Sequence, residues 1–486
     1  MKTQAKKVAS VILSAFLLMS GLTACGTSKI MYENEKNIKL SDEKITVDGN
    51  VVTEEGDVYL SNDVIYYEDK DTYESGNPYG EGTDKDKHTA EEAAAVTVVN
   101  ITQPGYYRLS GKMSQGQIRV DLGEEAFGDE NAVVTLILDG LDINCDVAPA
   151  VLFMNVYECD NEWTEETATK DVDTSKAGAN VIIADGSINN VDGAYVAKVF
   201  KDKAGEKKRW KQDGAFYSYM SMNINGEEKN DGILNIYADN EGLCAELHLT
   251  FNGGKINIYS QDDGINTNED NVSVTTINGG EIRIIAGTGP LYGDGIDSNG
   301  WIVINGGTLI SCADPTTDSG IDTEKGCYVN GGTLISLGGI VDWPNNESTQ
   351  KTLNLQFKDR IYTDTAFVVT DKDGKVVFAY DITKDDIVGS VVRETRGVAI
   401  CSPEFEIGEE YNLYLGGTVT GKGNSGLFNA QTAKKYESGT QQMYYSSEYF
   451  GRGGFYADAY KVYTPDTLLR FENTFNCFAD ITDYAG

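Results

Sequence analysis

The chain has 486 residues, with 40 Lys and Arg against 76 Asp and Glu, a formal charge of −36, and 40% hydrophobic residues. That apolar content can fill a sizeable core and excludes wholesale disorder, a collagen helix and a coiled coil. The charge excludes nucleic acid and bare anionic lipid, which are bound by neutralising phosphates with Lys and Arg, and the 2 His leave little room for a His-rich metal site or a His-based triad.

Lys2, Lys6 and Lys7 precede an apolar run over residues 8–19 that is too short to span a bilayer as a helix. Residues 1–24 therefore read as a signal peptide. They end in Leu22-Thr23-Ala24 before Cys25, a sequence that resembles the lipobox of bacterial lipoproteins, where the Cys is acylated and the chain is cut before it. The expectation is an extracellular protein held at the cell membrane by lipid on Cys25; ordinary secretion with a chance Cys is the alternative. Residues 25–95 read as a polar, acidic tether and variable region, with strand-like pieces at 45–47 and 64–67 and a solvated loop at 77–88. Helices should be few, because no long stretch carries a 3.6-residue apolar period. Seven further Cys, including Cys145 and Cys159, form no CxxC pair. Neither a zinc site nor a disulfide framework is signalled, and a Cys145–Cys159 pair or buried thiols both remain open.

From about residue 96 the chain becomes short strands punctuated by Gly, Asn and Asp. Asn-Gly-Gly recurs at 252–254, 278–280, 305–307 and 330–332, at spacings of 26, 27 and 25 residues. A two-residue alternation follows each copy. It predicts one inward column of Leu234, Ile256, Ile282, Leu309 and Leu334, and a second of Ile236, Ile258, Ile284, Ser311 and Ser336. Lys255, Glu281, Thr308 and Thr333, each just before the first column, face outward. A second strand precedes each Asn-Gly-Gly, over 272–277, 301–304 and 327–329. Period-two alternation inside a repeat of this length is the pattern of stacked coils of short strands, with the glycines supplying positive φ at the turn. The fold class expected is all-β, a parallel β-helix or β-solenoid over 96–345, with a C-terminal β portion and Tyr/Gly-rich tail over 346–486. A leucine-rich repeat would need a Leu-x-x-Leu-x-Leu pattern with an Asn ladder, which is not found. A series of antiparallel sandwiches would not keep the regular spacing.

Between the two strands lies an acidic element. Its copies run from Asp262 and Asp263 through Ile265, Asn266 and Asn268; from Asp294 through Ile296, Asp297 and Asn299; and from Asp318 through Ile321, Asp322 and Glu324. Weaker versions begin at Asn240 and Asp213. The Ile or Leu should face inward and the carboxylates outward or at a corner. Coils stack about 4.8 Å apart, and two unit charges at that distance repel by several kcal/mol at an effective dielectric near 20, that is, about 3–4 kcal/mol. Such a column calls for a cation. Ligands that are all oxygen, flexible and numerous select Ca²⁺ over Mg²⁺ and over softer metals. The expected ligands are Asp262, Asp263, Asn266, Asp294, Asp297, Asn299, Asp318 and Asp322. The alternative is that they are hydrated turn residues capping the strands.

Four segments, taken in order, resemble a bacterial family of pectate-lyase-like, calcium-binding carbohydrate-binding β-helix domains, named for a clostridial protein that binds cellulose and polygalacturonate. They are residues 98–111, residues 136–143, the central acidic and Asn-Gly-Gly elements, and residues 402–417. The resemblance covers about residues 97–417. It implies a right-handed parallel β-helix that binds calcium through Asp side chains and recognises polysaccharide of the pectin or cellulose type. The chain departs from the family in a charged insertion at 158–213 containing Trp163 and Trp210, and in the aromatic tail, for example over 442–445 and 449–456.

Sugar binding generally sets aromatic faces against pyranose rings, with polar groups for the hydroxyls. Tyr259, Tyr292, Trp301, Tyr328 and Trp343 are the candidates, although each also suits packing under a loop. Bound Ca²⁺ would bridge the acidic protein to an acidic polymer. No catalytic residue is assigned. A calcium-dependent lyase would want an Arg base, and Arg283 stands alone in the repeats. A polysaccharide lyase or hydrolase on the same scaffold, or a surface scaffold or adhesin, is the alternative to a binding protein.

Overall fold

The alternation that defines the repeats folds as predicted, residue against residue. In a computed structural model, the strands Ile233–Ala238, Lys255–Ser260, Glu281–Ile285, Thr308–Cys312 and Thr333–Gly338 each pair in parallel with the next, without a register shift. The column Leu234, Ile256, Ile282, Leu309 and Leu334 is the one expected, and all five side chains are buried. Fully burying each such side chain contributes roughly 1.5–3 kcal/mol. The structure describes residues 29–67, 87–160, 164–200, 208–289, 292–340, 342, 344–345, 347–350, 352–362, 366–391, 394–406, 410–446, 461–463 and 468–470. The signal segment 1–24, Cys25, most of the 77–88 loop, Trp163, Trp343 and the tail segment 449–456 lie outside the described residues.

A second parallel ladder runs through Met222–Gly226, His248–Phe251, Val274–Ile277, Trp301–Ile304 and Gly326–Val329. A third runs through Gly214–Ser218, Glu241–Ala245, Ile265–Thr267, Ile296–Ser298 and Asp322–Thr323. The acidic element, read from the sequence as a link between strands, is therefore itself a short strand. Its alternation is only three residues long, too short for the sequence to separate it from a turn. The chain is all-β, with large, mostly parallel sheets. Among the described residues a short α-helix, Ala90–Ala94, is held by a reciprocal capping box between Thr89 and Glu92.

The Asn-Gly-Gly turns are where the repeats lock together. Asn252, Asn278, Asn305 and Asn330 each donate a side-chain amide to the Asn one repeat earlier, starting at Asn225, over 2.9–3.0 Å. An asparagine ladder is thus present after all, at the turn rather than in a leucine-rich pattern. The second glycine of each turn has φ between +75° and +90°, which an L side chain adopts at a cost. A Cβ on Gly307 would also stand 2.7 Å from the carbonyl oxygen of Gly280.

At the N-terminal end, Lys36–Leu40 adds a parallel strand beside Gly105–Met113, and Val58–Ser61 pairs antiparallel with Thr97–Ile101. Part of the segment read as a tether thus joins the sheets. At the other end the parallel order stops where Glu394–Cys401 pairs antiparallel with Thr333–Gly338. A separate antiparallel sheet, including Ala366–Asp371, Val376–Asp381 and Glu410–Gly421, packs Phe367, Phe378 and Tyr380, together with Phe405 from the loop before Glu410–Gly421, against Ile310, Cys312, Ile335 and Leu337. Those four are outward-facing positions of the last repeats, so the C-terminal sheet covers that part of the ladder. Cys145 and Cys159 are both free thiols.

Gly307→Ala should destabilise the protein by about 1–3 kcal/mol, from positive φ and the clash with the repeat below. Gly374→Ala, at φ +82° with nothing within 4 Å of the added carbon, should cost only the conformational part, about 1–2 kcal/mol. Urea unfolding of the two variants checks the difference; equal losses would mean that layer stacking is not what the turn glycine serves.

Candidate functional site

The third ladder builds an acidic ridge. Leu243, Ile265 and Ile296 are Cα partners facing the core, so the residues two positions earlier, Glu241, Asp263 and Asp294, stand in successive layers. The residues one position later form the neighbouring column, Cys244, Asn266, Asp297 and Asp322. Two of these carboxylates are tied to the next repeat through its backbone. The Asp294 N–H donates to Asp263 Oδ1 at 2.7 Å, and the Ser319 N–H donates to Asp294 Oδ1 at 2.6 Å. The Asn266 amide donates to Glu241 Oε1 at 3.0 Å. The carboxylates thus stitch layers together, and Glu241 Oε2 and Asp263 Oδ2 also accept, from the Cys244 thiol at 3.0 Å and the Asn266 amide at 3.4 Å.

Charge accumulates faster than these N–H groups can offset it. Burial pushes the Asp263 carboxyl well above the usual carboxylate range, with Glu241, Asp297, Asp262 and Asp294 adding to the rise. Asp294 is pushed up to about 8, first by burial and then by Asp322, Asp318 and Asp297, against the lowering effect of the Ser319 N–H. Burial also raises Asp318, with Asp314 and Asp322 contributing. Asp342 is pushed up to about 7 by burial and by its hydrogen bond and charge interaction with Asp322. These are the shifts expected of like charges held close in a partly dry place.

Two buried oxygens on the ridge, Asn266 Oδ1 and Asp318 Oδ2, have no hydrogen-bond partner among the described residues. An oxygen left in that state costs about 1–3 kcal/mol, and a cation would satisfy it. The donor set of carboxylates and an amide carbonyl is hard, and fits Ca²⁺ chemistry. Of the predicted ligands, the structure gathers Asp262, Asp263, Asn266, Asp294, Asp297, Asp318 and Asp322 along this ridge. Asn299 turns away, its amide donating to the Asn268 carbonyl at 2.8 Å and to Asp270 at 2.9 Å. Sequence reasoning missed Glu241 and Asp342. Glu241 was legible, since it occupies the Asp263 position one repeat earlier; Asp342 lies beyond the repeats and carries no periodic signal. Glu241 also meets Asp213 and Cys244, all three buried, with ligand atoms within 4.8 Å of one another.

The aromatic candidates scatter. Tyr259 stacks on Tyr237, which the sequence reading did not single out, with centroids 5.2 Å apart and planes at 6°. Tyr292 is 62% exposed beside the ridge. Trp301 is half-buried at the head of Trp301–Ile304. Tyr328 is half-buried, and the Lys170 ammonium sits 5.3 Å from its ring centroid. Within the charged insertion, Ala179–Ile183 and Ile188–Gly193 are regular strands of the ladders, whereas Lys170 belongs to its first part, which runs along the second ladder. Thr174 there bonds Asn223 and Thr250, each at 2.8 Å, Asp160 meets His248 at 3.1 Å, and Glu165 lies 3.8 Å from Lys325.

Among known proteins, the profile of the carbohydrate-binding domain-containing protein family matches residues 96–381, which include every strand of the ridge. A solved structure described as a polysaccharide lyase-like protein from C. thermocellum, a gadolinium derivative, is similar at 20% identity and a TM-score of 0.36, over 61% of this chain and 92% of that one. No curated protein matches the chain.

The raised carboxyls fix the sign of a pH effect. Asp294 and Asp342 hold protons in the fold that the unfolded chain releases above its ordinary value of 3.8. Stability of the cation-free protein is therefore greatest at low pH on their account, and falls as pH rises toward about 8. Calorimetry in chelator should give a lower Tm at about pH 8.5 than at about pH 5.5, and Asp294→Asn should flatten the change. A Tm that climbs over this range would contradict the crowding.

Proposed function

The chain belongs to the carbohydrate-binding domain-containing protein family, and on that premise we propose that it is a surface polysaccharide-binding protein whose acidic ridge holds Ca²⁺. The observation that carries this reading is the stack of Glu241, Asp263 and Asp294 beside two buried oxygens, Asn266 Oδ1 and Asp318 Oδ2, that lack a hydrogen-bond partner. Carboxylates so placed must either share protons or gather a cation, and oxygen donors of this kind are those of a calcium site. Asp262, Asp297, Asp322 and Asp342 complete the negative surroundings. The ladders, in this reading, are those of a right-handed parallel β-helix. A cation on the ridge offers a bridge to the carboxylates of polygalacturonate or pectin, which resolves how a chain of charge −36 approaches an acidic polymer.

A lyase would need a base within reach of this cation. Arg283 is bonded instead to Asp385 at 2.9 Å and to Glu281 at 3.3 Å, which favours binding over catalysis. The lipobox-like segment ending at Cys25 supports a lipid anchor that holds the protein at the outer face of the membrane.

Two outcomes test this. Ca²⁺ at a hundredfold excess over its Kd should stabilise the protein by about 2.7 kcal/mol. Asp294→Asn combined with Asp297→Asn should remove that gain and weaken polygalacturonate binding. A melting curve unchanged by EDTA would reduce the ridge to a hydrated stack of turn carboxylates. Separately, Cys25→Ala should move the protein from the membrane to the soluble fraction; a variant that stays with membranes after a high-salt wash would contradict the anchor.

A further inference from the structure

The first ladder has an outward face as well as a core face, and its covering is uneven. Toward the C-terminus its outward positions are closed off. Arg283 is buried against Asp385, Ile285 is buried, and Ile310 and Ile335 lie under the C-terminal sheet. Of the three layers before that, Ile188–Gly193 and Ile233–Ala238 keep the same positions open, while in Lys255–Ser260 Asn257 is buried and Lys255 and Tyr259 are half-buried.

The residues on those three layers form rows. Asn190, Asn235 and Asn257 are Cα partners whose amides form a second ladder, Asn235 donating to Asn190 Oδ1 and Asn257 to Asn235 Oδ1, each at 2.9 Å. On one side of this row lie Ile188, 60% exposed, and Ile233; on the other lie Tyr237, 41% exposed, and Tyr259. Tyr259 covers one face of the Tyr237 ring. The Cα partner of Tyr237 on its other side is Asp192, a side chain too short to cover the second face. The ladder bonds use one N–H or one lone pair at each contact, so the half-buried Asn190 and Asn235 amides keep donors and acceptors for a ligand, while the buried Asn257 anchors the row from below. An aromatic face, an aliphatic margin and a row of amides repeated at each layer, about 10 Å from the first layer to the third, match a pyranose chain with its apolar faces and hydroxyls.

The charge around the face decides which glycan. Asp192 and Asp239 flank Tyr237, and burial raises both carboxyls, with Asp239, Asp146 and Asp142 adding to the rise at Asp192 and Asp146 to that at Asp239. The cation at the margin, Lys255, faces Glu281 at 4.0 Å. A polyuronate would meet repulsion here with no ridge cation to bridge it. From this geometry we infer that the face of Tyr237, Asn190 and Asn235 is a second subsite, independent of metal, that binds an uncharged glycan chain. The inference rests on the carbohydrate-binding reading but not on the calcium ridge.

Native affinity electrophoresis of the full chain through gels containing hydroxyethylcellulose or polygalacturonate, each with and without EDTA, tests it. The wild type should be retarded by hydroxyethylcellulose equally with and without EDTA. Tyr237→Ala should weaken that retardation by about tenfold, the scale of an aromatic hot spot, and leave polygalacturonate binding unchanged. Tyr237→Phe, which keeps the ring, should bind as wild type, and an unaltered Tm for both variants excludes misfolding. The Asp294→Asn, Asp297→Asn double variant should show the reverse pattern. Wild-type protein that binds polygalacturonate but not hydroxyethylcellulose in EDTA, or Tyr237→Ala retarded like wild type, overturns the subsite. Failure to bind either polymer overturns the carbohydrate-binding reading itself.

Discussion

Everything in this protein follows from stacking like on like at about 4.8 Å. A parallel ladder without register shifts places each residue against the residue at the same position one repeat away. For Ile and Leu this is favourable at once, and the buried columns from Leu234 to Leu334 and from Ile236 to Ile284 result. For Asn it is favourable because an amide both donates and accepts, and two amide ladders form, one at the Asn-Gly-Gly turns and one on the open face. For Asp it is unfavourable, because carboxylates only accept. The third ladder answers this in part by turning the Asp294 and Ser319 N–H groups onto the carboxylates one layer away.

The same rule separates two chemistries onto two sides of one scaffold. Where carboxylates stack, the residual charge seeks a cation, and the proposed function uses that demand. Where asparagines and tyrosines stack, no such demand exists, and the surface offers hydrogen bonds and a ring face instead. Arg283 marks the boundary of the second side. It takes the next place in the Asn190–Asn257 column, and its guanidinium binds Asp385 from the C-terminal region. Removing one partner of such a buried pair would leave an uncompensated charge, which is costly, so the edge of the covered region is firmly set.

The ends of the ladders are treated differently from their middle. Parallel stacking would leave unpaired strand edges ready to recruit another chain. Glu394–Cys401 closes the last repeat by pairing antiparallel with it, and the C-terminal sheet buries the outward positions beside it. At the other end Lys36–Leu40 and Val58–Ser61 continue the sheets. The part of the insertion that carries Asp160, Lys170 and Thr174 lies along the second ladder, while Ile188–Gly193 within 158–213 is itself a layer of the first, whose early layers stay exposed.

The sequence by itself determined the repeats, their register and the inward columns, because period-two alternation and recurring Asn-Gly-Gly are local signals carried by every repeat. It also identified most of the acidic ridge, since Asp263 and Asp294 recur at one place in the repeat and Asp297 and Asp322 at another close by. What it did not reveal depends on contacts between segments far apart in the chain. Asp342 reaches Asp322 from outside the repeats, and Asn299, alike in sequence to its neighbours, is drawn off by Asn268 and Asp270. Tyr237 and Tyr259 sit at equivalent positions in two repeats, yet Ile285, the next in that column, is buried while Tyr237 is exposed. Alternation states which residues point outward from a strand. Whether an outward residue then meets solvent, a ligand or another sheet is decided only when the C-terminal sheet and the insertion settle on the ladders.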